Sequence, residues 1–189
     1  QYINCTNKGE NDSCGACSSC RKYQKLVHPD LHFAFPIKRS SETNRQNSDN
    51  YLQQWRETLL ENPYINPRVW YQKLELENKQ GIIPTHESNS IIHKLYFKSF
   101  ESEYKMMIIW LPERMHPSAA NKLLKLTEEP PPKTVFLLVS ENPDMLLPTI
   151  LSRTQKIRVP GIDQESMFNA ISDHFGLNSQ KASEVVDLA

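Results

Sequence analysis

YKMMIIWL at residues 104–111 and TVFLLVS at residues 134–140 decide the architecture of this 189-residue chain. Both runs are apolar along nearly their whole length. A strand with one wet face alternates apolar and polar residues, so an unbroken apolar run predicts a strand covered on both faces, as in a parallel sheet. Between them lies PSAANKLLKLTE at 117–128, with Ala120, Leu123, Leu124 and Leu126 giving a helix its apolar side, and Pro130, Pro131 and Pro132 ending it. Strand, helix, strand in that order predicts parallel pairing, because the return crossover is a right-handed helix packed on the sheet.

Toward the amino terminus, residues 87–100 predict a helix with Ile91, Ile92, Leu95 and Tyr96 on one side, and 81–85 (GIIPT) a brief strand. Residues 67–77 predict a short helix carrying Trp70 and Leu74. Residues 49–61 predict another, with Asp49 as N-cap and Leu52, Trp55, Leu59 and Leu60 on one face. Asn62-Pro63 and Asn66-Pro67 read as turns, and the polar stretch 38–50 as a surface loop. Residues 31–37 (LHFAFPI) predict a strand and 17–28 a short helix stopped by His28-Pro29-Asp30. Toward the carboxyl terminus come a short helix at 143–151, an amphipathic strand at 155–159 (QKIRV), and helices at 163–175 and 178–189 joined at Gly176. The expected fold class is α/β: a parallel sheet with helices, followed by a small helical unit.

All four cysteines, Cys5, Cys14, Cys17 and Cys20, fall in the first twenty residues, as C-x8-C-x2-C-x2-C. C-x2-C turns deliver paired thiolates from a tight loop, and tetrahedral Zn2+ wants four thiolates about 3.8 Å apart. Gly15, Ala16, Ser18 and Ser19 are small enough to let the turn tighten. Two disulfides are the competing arrangement and belong to secreted chains, for which no signal-peptide pattern is seen. Four thiolates leave no open position for water, so the expected Zn2+ is structural.

Lys and Arg number 22, as do Asp and Glu, so the net charge is zero. That argues against gripping nucleic acid through a large basic field. No run of 18 apolar residues exists, no membrane span or membrane partner is expected, and the expected location is cytoplasmic. The chain opens at Gln1 beside the cysteine loop and closes at Ala189 in a helical pattern, which reads as a piece of a longer protein.

The motifs YKMMIIWLPERM, AANKLLKLTEEPPPKTVFLLVSENP and LLPTILSRTQKIRV, together with the cysteine spacing and His28-Pro29-Asp30, resemble the clamp-loader branch of the AAA+ family. Within it they resemble the gamma/tau and delta-prime subunits of bacterial DNA polymerase III. The likeness covers residues 1–37 and 81–175. It implies a RecA-like parallel sheet with helices on both faces and an inserted zinc-binding loop at 5–20. It also implies a partial AAA+ module at 1–160 and the start of a helical lid at 161–189. Residues 38–80 match no part of the pattern and read as an insertion.

The family's sensor-side strand ends in two acids that hold Mg2+ and polarise the attacking water. Here those positions are Trp110 and Leu111, which offer no oxygen ligand, and Glu113 lies beyond Pro112. The resemblance thus implies a delta-prime-type subunit with no Mg2+/ATP hydrolysis of its own. It also implies that Arg153, in Ser152-Arg153-Thr154, enters a neighbour's ATP site; Thr154 departs from the family's usual cysteine. Read from the residues alone, Arg153 is a surface arginine before an edge strand. Implied partners are the gamma/tau and delta subunits, with the sliding clamp and primed DNA reached through the complex.

Other readings remain: an active gamma/tau-type ATPase, a zinc-containing nucleic-acid-binding module, or a related AAA+ replication or recombination factor. Glu128 and Glu129, adjacent in sequence, point to different sides of a helix end and read as surface charge. Ser140 and Asn142 read as turn formers or sensor remnants. Arg21, Lys22 and Lys25 read as a solvated helix face, and Trp55 and Trp70 as packing residues. His28, His32, His86, His93, His116 and His174 read as scattered surface or loop positions.

Overall fold

A computed structural model describes residues 1–39, 45–76, 80–176 and 178–187. The chain divides into two compact units, 1–154 and 155–189.

The first unit is built on three parallel strands in the order β1 (Leu31–Ala34), β2 (Lys105–Trp110), β3 (Thr134–Val139). Met106 sits opposite Leu31 on one side and Val135 on the other, and the register continues to Trp110 opposite Val139. As expected of its apolar run, β2 feeds two cores. Met106, Ile108 and Trp110 join one cluster, while Met107 and Ile109 join the other. Residues two apart share a face of the pleat, so an unbroken apolar run serves both sides.

Around the sheet the helices follow in chain order: α1 (Ser18–Gln24), α2 (Leu52–Glu61), α3 (Pro67–Lys73), α4 (Glu87–Tyr96), α5 (Pro117–Glu128) and α6 (Pro148–Leu151). Ile91 and Leu95 of α4, Ala119, Ala120, Leu123 and Leu126 of α5, and Ile150 of α6 form one cluster with Met107 and Ile109. Tyr23 of α1, Trp55 of α2 and Trp70 of α3 form the other with Phe33, Phe35 and Trp110.

From the stretch 38–80, Trp55, Trp70, Leu74 and Leu76 thus enter the first unit's core. Trp55 stacks on Phe35 at 4.3 Å, meets Trp70 edge-on at 5.0 Å and lies 5.1 Å from Trp110. Trp70 Nε1 donates to Pro36 O at 2.7 Å. Aromatic pairs at such distances prefer offset or edge-to-face contact and add to their buried area. The tryptophans are packing residues, as expected. The 38–50 stretch lies in part outside the described residues (40–44). Its later part, Ser48–Tyr51, is a 3-10 turn whose buried Ser48 amide donates to the Glu87 carboxylate at 2.8 Å.

Several expected elements differ. Among the described residues β3 has one ladder neighbour and stands at the sheet edge, with Leu137 and Val139 close to half exposed rather than covered on both faces. β1 stops at Ala34 because Pro36 offers no N–H to a ladder. Residues 81–85 make no strand; Ile82 bridges Ile37 and Ile83 bridges Met115 singly. α1 ends at Gln24, followed by Leu26 at φ 54. The helix expected at 67–77 ends at Lys73, and residue 77 lies outside the described residues. α4 ends at Tyr96, where buried Lys105 donates to Leu95 O and, at 2.6 Å, to Phe97 O, satisfying end-of-helix carbonyls. Asp49 caps nothing; it pairs with Lys94 at 2.6 Å, and Asn47 and Asn50 form the capping box instead. The helix expected at 143–151 is split into a 3-10 turn, Pro143–Met145, and α6.

In the second unit, α7 (Gln164–Phe175) starts where Asp163 Oδ1 accepts the Ser166 amide at 2.8 Å and ends at Gly176, φ 61. That left-handed residue joins it to α8 (Ser179–Asp187), as the position of Gly176 leads one to expect. Residues 155–159 carry no strand among the described residues. Apolar alternation makes a strand only where a neighbour completes the ladder, and Gln155–Val159 has none.

Candidate functional site

The cysteine loop is assembled almost entirely from local contacts. A 3-10 turn at Tyr2–Asn4 leads into Cys5, and Gly15 turns the chain at φ 68 between Cys14 and Cys17. Three amides point at sulfur: Cys14 N to Cys5 Sγ and Cys17 N to Cys14 Sγ at 3.3 Å, and Cys20 N to Cys17 Sγ at 3.4 Å, the last capping α1. All four cysteines are free, and their sulfurs lie within 4.8 Å of one another, Cys14 and Cys20 at 3.9 Å. The disulfide arrangement is therefore not adopted. Among the described residues no other group of His, Cys, Asp and Glu ligand atoms converges in this way.

The donor set fits a tetrahedral thiophilic cation, whose four sulfurs at ~2.3 Å from the metal stand about 3.8 Å apart. The local field favours thiolate at Cys17 and Cys14. The Cys20 amide, with further hydrogen bonds from Thr6, pulls the Cys17 thiol down to about 5. The Ala16 and Cys17 amides lower Cys14. Cys5 moves up: the Cys14 amide pulls it down, but withdrawal from water and the neighbouring thiols outweigh that pull. A closely packed thiol set without a cation resists full ionisation, because each thiolate disfavours the next.

One long-range anchor ties this loop to the sheet. Buried Asn4 donates to Tyr23 Oη at 2.7 Å and Tyr104 O at 2.8 Å, and accepts from Tyr104 N at 3.1 Å. Beside it lies His28, expected at the surface but 1% exposed and stacked on Tyr23 at 4.3 Å. Pro29 turns the chain so that the ring enters the core rather than solvent. His28, Ser102 and Asp30 have the composition of a hydrolytic triad but not its wiring. His28 Nδ1 accepts the Asp30 amide at 3.1 Å, so the proton of the neutral ring is on Nε2, which faces Ser102 Oγ at 2.9 Å. An imidazole that donates to the serine cannot take its proton. Desolvation keeps this ring's pKa below the usual value, against the pull of Glu101. Asp30 accepts the amides of Phe100, Glu101 and Ser102 at 2.6, 3.0 and 2.9 Å; desolvation raises its pKa, and these bonds more than reverse that. The group is a structural tie. Lys22 of the basic cluster pairs with Glu101, while Arg21 and Lys25 are exposed.

The other histidines serve separately. His32 is half-buried on β1, His86 contacts Gln46 O, and His116 caps α5 by accepting Ser118 N at 3.2 Å. His93 on α4 packs against Phe97, and His174 on α7 against Phe175.

At the carboxyl end of β2, Trp110 is 6% and Leu111 1% exposed, both in the aromatic cluster. Leu111 adopts φ 54 and turns the chain into Pro112–Arg114. Glu113 Oε1 accepts the Glu141 and Asn142 amides at 3.0 and 3.2 Å, tying this turn to the one after β3. Ser140 and Asn142 lie in that second turn, Asn142 directly before Pro143–Met145.

Arg153 follows α6. Its Nε donates to Glu128 Oε1 at 2.8 Å and Nη2 reaches the same oxygen; Nη1 donates to Thr149 O at 2.8 Å and Ser152 Oγ at 3.2 Å. Thr154 Oγ1 donates to Ile150 O at 3.1 Å. The Glu128 contact is what sequence reasoning missed; the spacing of 25 residues carries no periodic signal. Among the described residues no hydrogen bond joins this element to the cysteine loop.

A family model described as "DNA polymerase III, delta subunit" matches residues 1–163. DNA polymerase III subunit delta-prime of Yersinia pestis is 30% identical over 155 residues, covering 81% of this chain and 33% of that protein. The delta-prime subunit of Haemophilus influenzae is 28% identical over 181 residues, 96% of this chain and 42% of that one. A crystal structure of a DNA polymerase III gamma subunit-related protein from Thermotoga maritima aligns with TM-score 0.47 and 19% identity, covering 90% of this chain and 47% of that one. The chain spans 33% to 42% of the length of these two curated relatives. With that match running from the cysteine loop through all three strands, the chain belongs to the DNA polymerase III delta-subunit family, on its delta-prime side.

Proposed function

We propose that this chain is part of a clamp-loader subunit that does not hydrolyse ATP itself and supplies Arg153 to the ATP site of an adjacent gamma/tau-type subunit. The observation that carries the first half is the burial of Trp110 and Leu111 at the carboxyl end of the central strand. Ligands of parallel α/β sheets gather at that end, and Mg2+ there needs oxygen donors. An indole and an isobutyl group packed into the core supply none, and Glu113, beyond Pro112, has Oε1 holding two amides and Oε2 buried. Support for the second half is the position of Arg153 in a partly exposed turn, with a side chain 31% exposed, on a chain of the delta-prime family. A guanidinium keeps its charge and its fork matches phosphate oxygens.

In this reading Cys5, Cys14, Cys17 and Cys20 hold a structural Zn2+, which neutralises the clustered thiolates and stiffens the loop ahead of α1. The partners are the gamma/tau and delta subunits, with the sliding clamp and primed DNA met through the assembled ring. Residues 1–160 act as part of an AAA+ module and 161–189 as the start of a lid, in the cytoplasm. No described helix is long and apolar enough to cross a membrane.

The test uses the full-length protein. Alone, it should release no phosphate from ATP above background. In a reconstituted loader, Arg153→Ala should lower DNA-stimulated turnover at the interface it serves by roughly 10³-fold or more while the complex still assembles. Turnover by the isolated subunit with Trp110 and Leu111 in place removes the first half; unchanged turnover with Arg153→Ala removes the second.

A further inference from the structure

Glu128 is the last residue of α5, where the helix dipole places partial negative charge. A carboxylate there is unfavourable unless a cation covers it, and Arg153 does so. A guanidinium has five N–H bonds. Two are used on Glu128 Oε1, one on Thr149 O and one on Ser152 Oγ. Arginine grips a phosphate through two parallel donors on one edge. With a single N–H uncommitted, no edge of Arg153 has both donors available.

We propose that Glu128 is a latch. In the free subunit it holds Arg153 retracted against the ends of α5 and α6. The guanidinium turns to a neighbour's nucleotide only by exchanging this carboxylate for a phosphate. The proposal rests on the reading of Arg153 as an arginine acting in trans, and it makes Glu128 a positioning residue. Two features suit an exchange. Both side chains are partly exposed, Arg153 31% and Glu128 46%, so the pair is weak enough for a polyphosphate to break and the freed carboxylate can turn to water. The contacts of Nη1 with Thr149 and Ser152 lie on the α6 side and form a pivot that survives release of Glu128.

The test assembles full-length protein carrying Glu128→Gln with its nucleotide-binding partners and follows turnover against ATP concentration, with Arg153→Ala in parallel. Glutamine matches the glutamate in size at a half-exposed position, so the fold stays in place. Loss of an exposed ion pair should lower the half-saturating ATP concentration about two- to fivefold. Maximal turnover should hold, and the difference should shrink as salt screens the native pair. Glu128→Asp, which keeps the charge, should restore much of the original value. An unchanged or raised half-saturation with Glu128→Gln, or equal shifts with Gln and Asp, overturns the latch. In those cases a turnover loss with Arg153→Ala leaves the arginine reading standing. If Arg153→Ala has no effect, the arginine reading falls and takes the latch with it.

Discussion

The cysteine loop and the arginine element are built in opposite ways. In the loop, sulfurs and the amides that point at them come from residues 5–20, with partners three to nine positions apart. In the arginine element, Arg153 is defined by Glu128, 25 positions away, and depends on α5 and α6 packing side by side. The first is a site that a short stretch makes for itself. The second exists only once the core is closed. Damage should therefore behave differently in the two places.

The largest effect separates them most sharply. A structural zinc site contributes binding free energy directly to folding, and Cys20→Ser or chelation should cost about 5 kcal/mol or more, a fall in Tm of roughly 10–20 °C. Elemental analysis of the purified protein should find zinc in a one-to-one ratio. A melting curve insensitive to chelator, or protein free of metal, would break the contrast at its root.

Next is Leu126→Ala on α5, at a position 2% exposed in the core beneath the arginine element. Truncating a buried leucine costs about 2–5 kcal/mol. Unlike a cysteine change, it should also weaken the stimulation of ATP turnover in the assembled loader, because Leu126 shares its cluster with Ile150 of α6, the helix that leads into Arg153. Equal behaviour of the two variants in that assay would show that the regions are not independent.

Acid should act on the sheet that both regions share. Desolvation pulls His32 on β1 down to about 4. The unfolded ring titrates near 6.5, so between those values the unfolded state binds the extra proton. Stability should fall as pH drops from about 6.5 toward 4 and level off below, by roughly 2 kcal/mol after allowance for partial exposure. Chemical denaturation of His32→Asn across that range should show a flatter profile; an identical profile would assign the acid sensitivity elsewhere.

Arg153→Ala should move stability least, by less than about 1 kcal/mol, since an exposed ion pair contributes little. A small change in denaturation midpoint beside a large change in assembled turnover would confirm that this element serves a neighbour rather than the fold. A loss of several kcal/mol would recast Arg153 as structural.

Legibility followed the same division. The β2 run at 104–111 was readable because each residue's face follows from its immediate neighbours, and α5 because its apolar spacing and flanking prolines are local. The same logic misjudged β3: an apolar run tells how a strand is made, not how many neighbours it receives, and Leu137 and Val139 remain partly exposed at the edge. Residues 155–159 failed as a strand for the related reason that alternation supplies no partner. His28 looked like a loop histidine because nothing in its neighbourhood announces Tyr23 stacking or Ser102, 74 positions away.

By itself the order of residues determined the four-thiol loop, the parallel strand–helix–strand unit and the lack of oxygen ligands at 110 and 111. Each is a property of covalent spacing or of side-chain chemistry at a single position. Only the tertiary structure decided that Trp55 and Trp70 enter the core, that Glu113 Oε1 accepts two amides, and that Arg153 lies against Glu128. Those outcomes depend on which surfaces meet when apolar area is buried, and chain separations of 25 residues or more leave no periodic trace of the meeting.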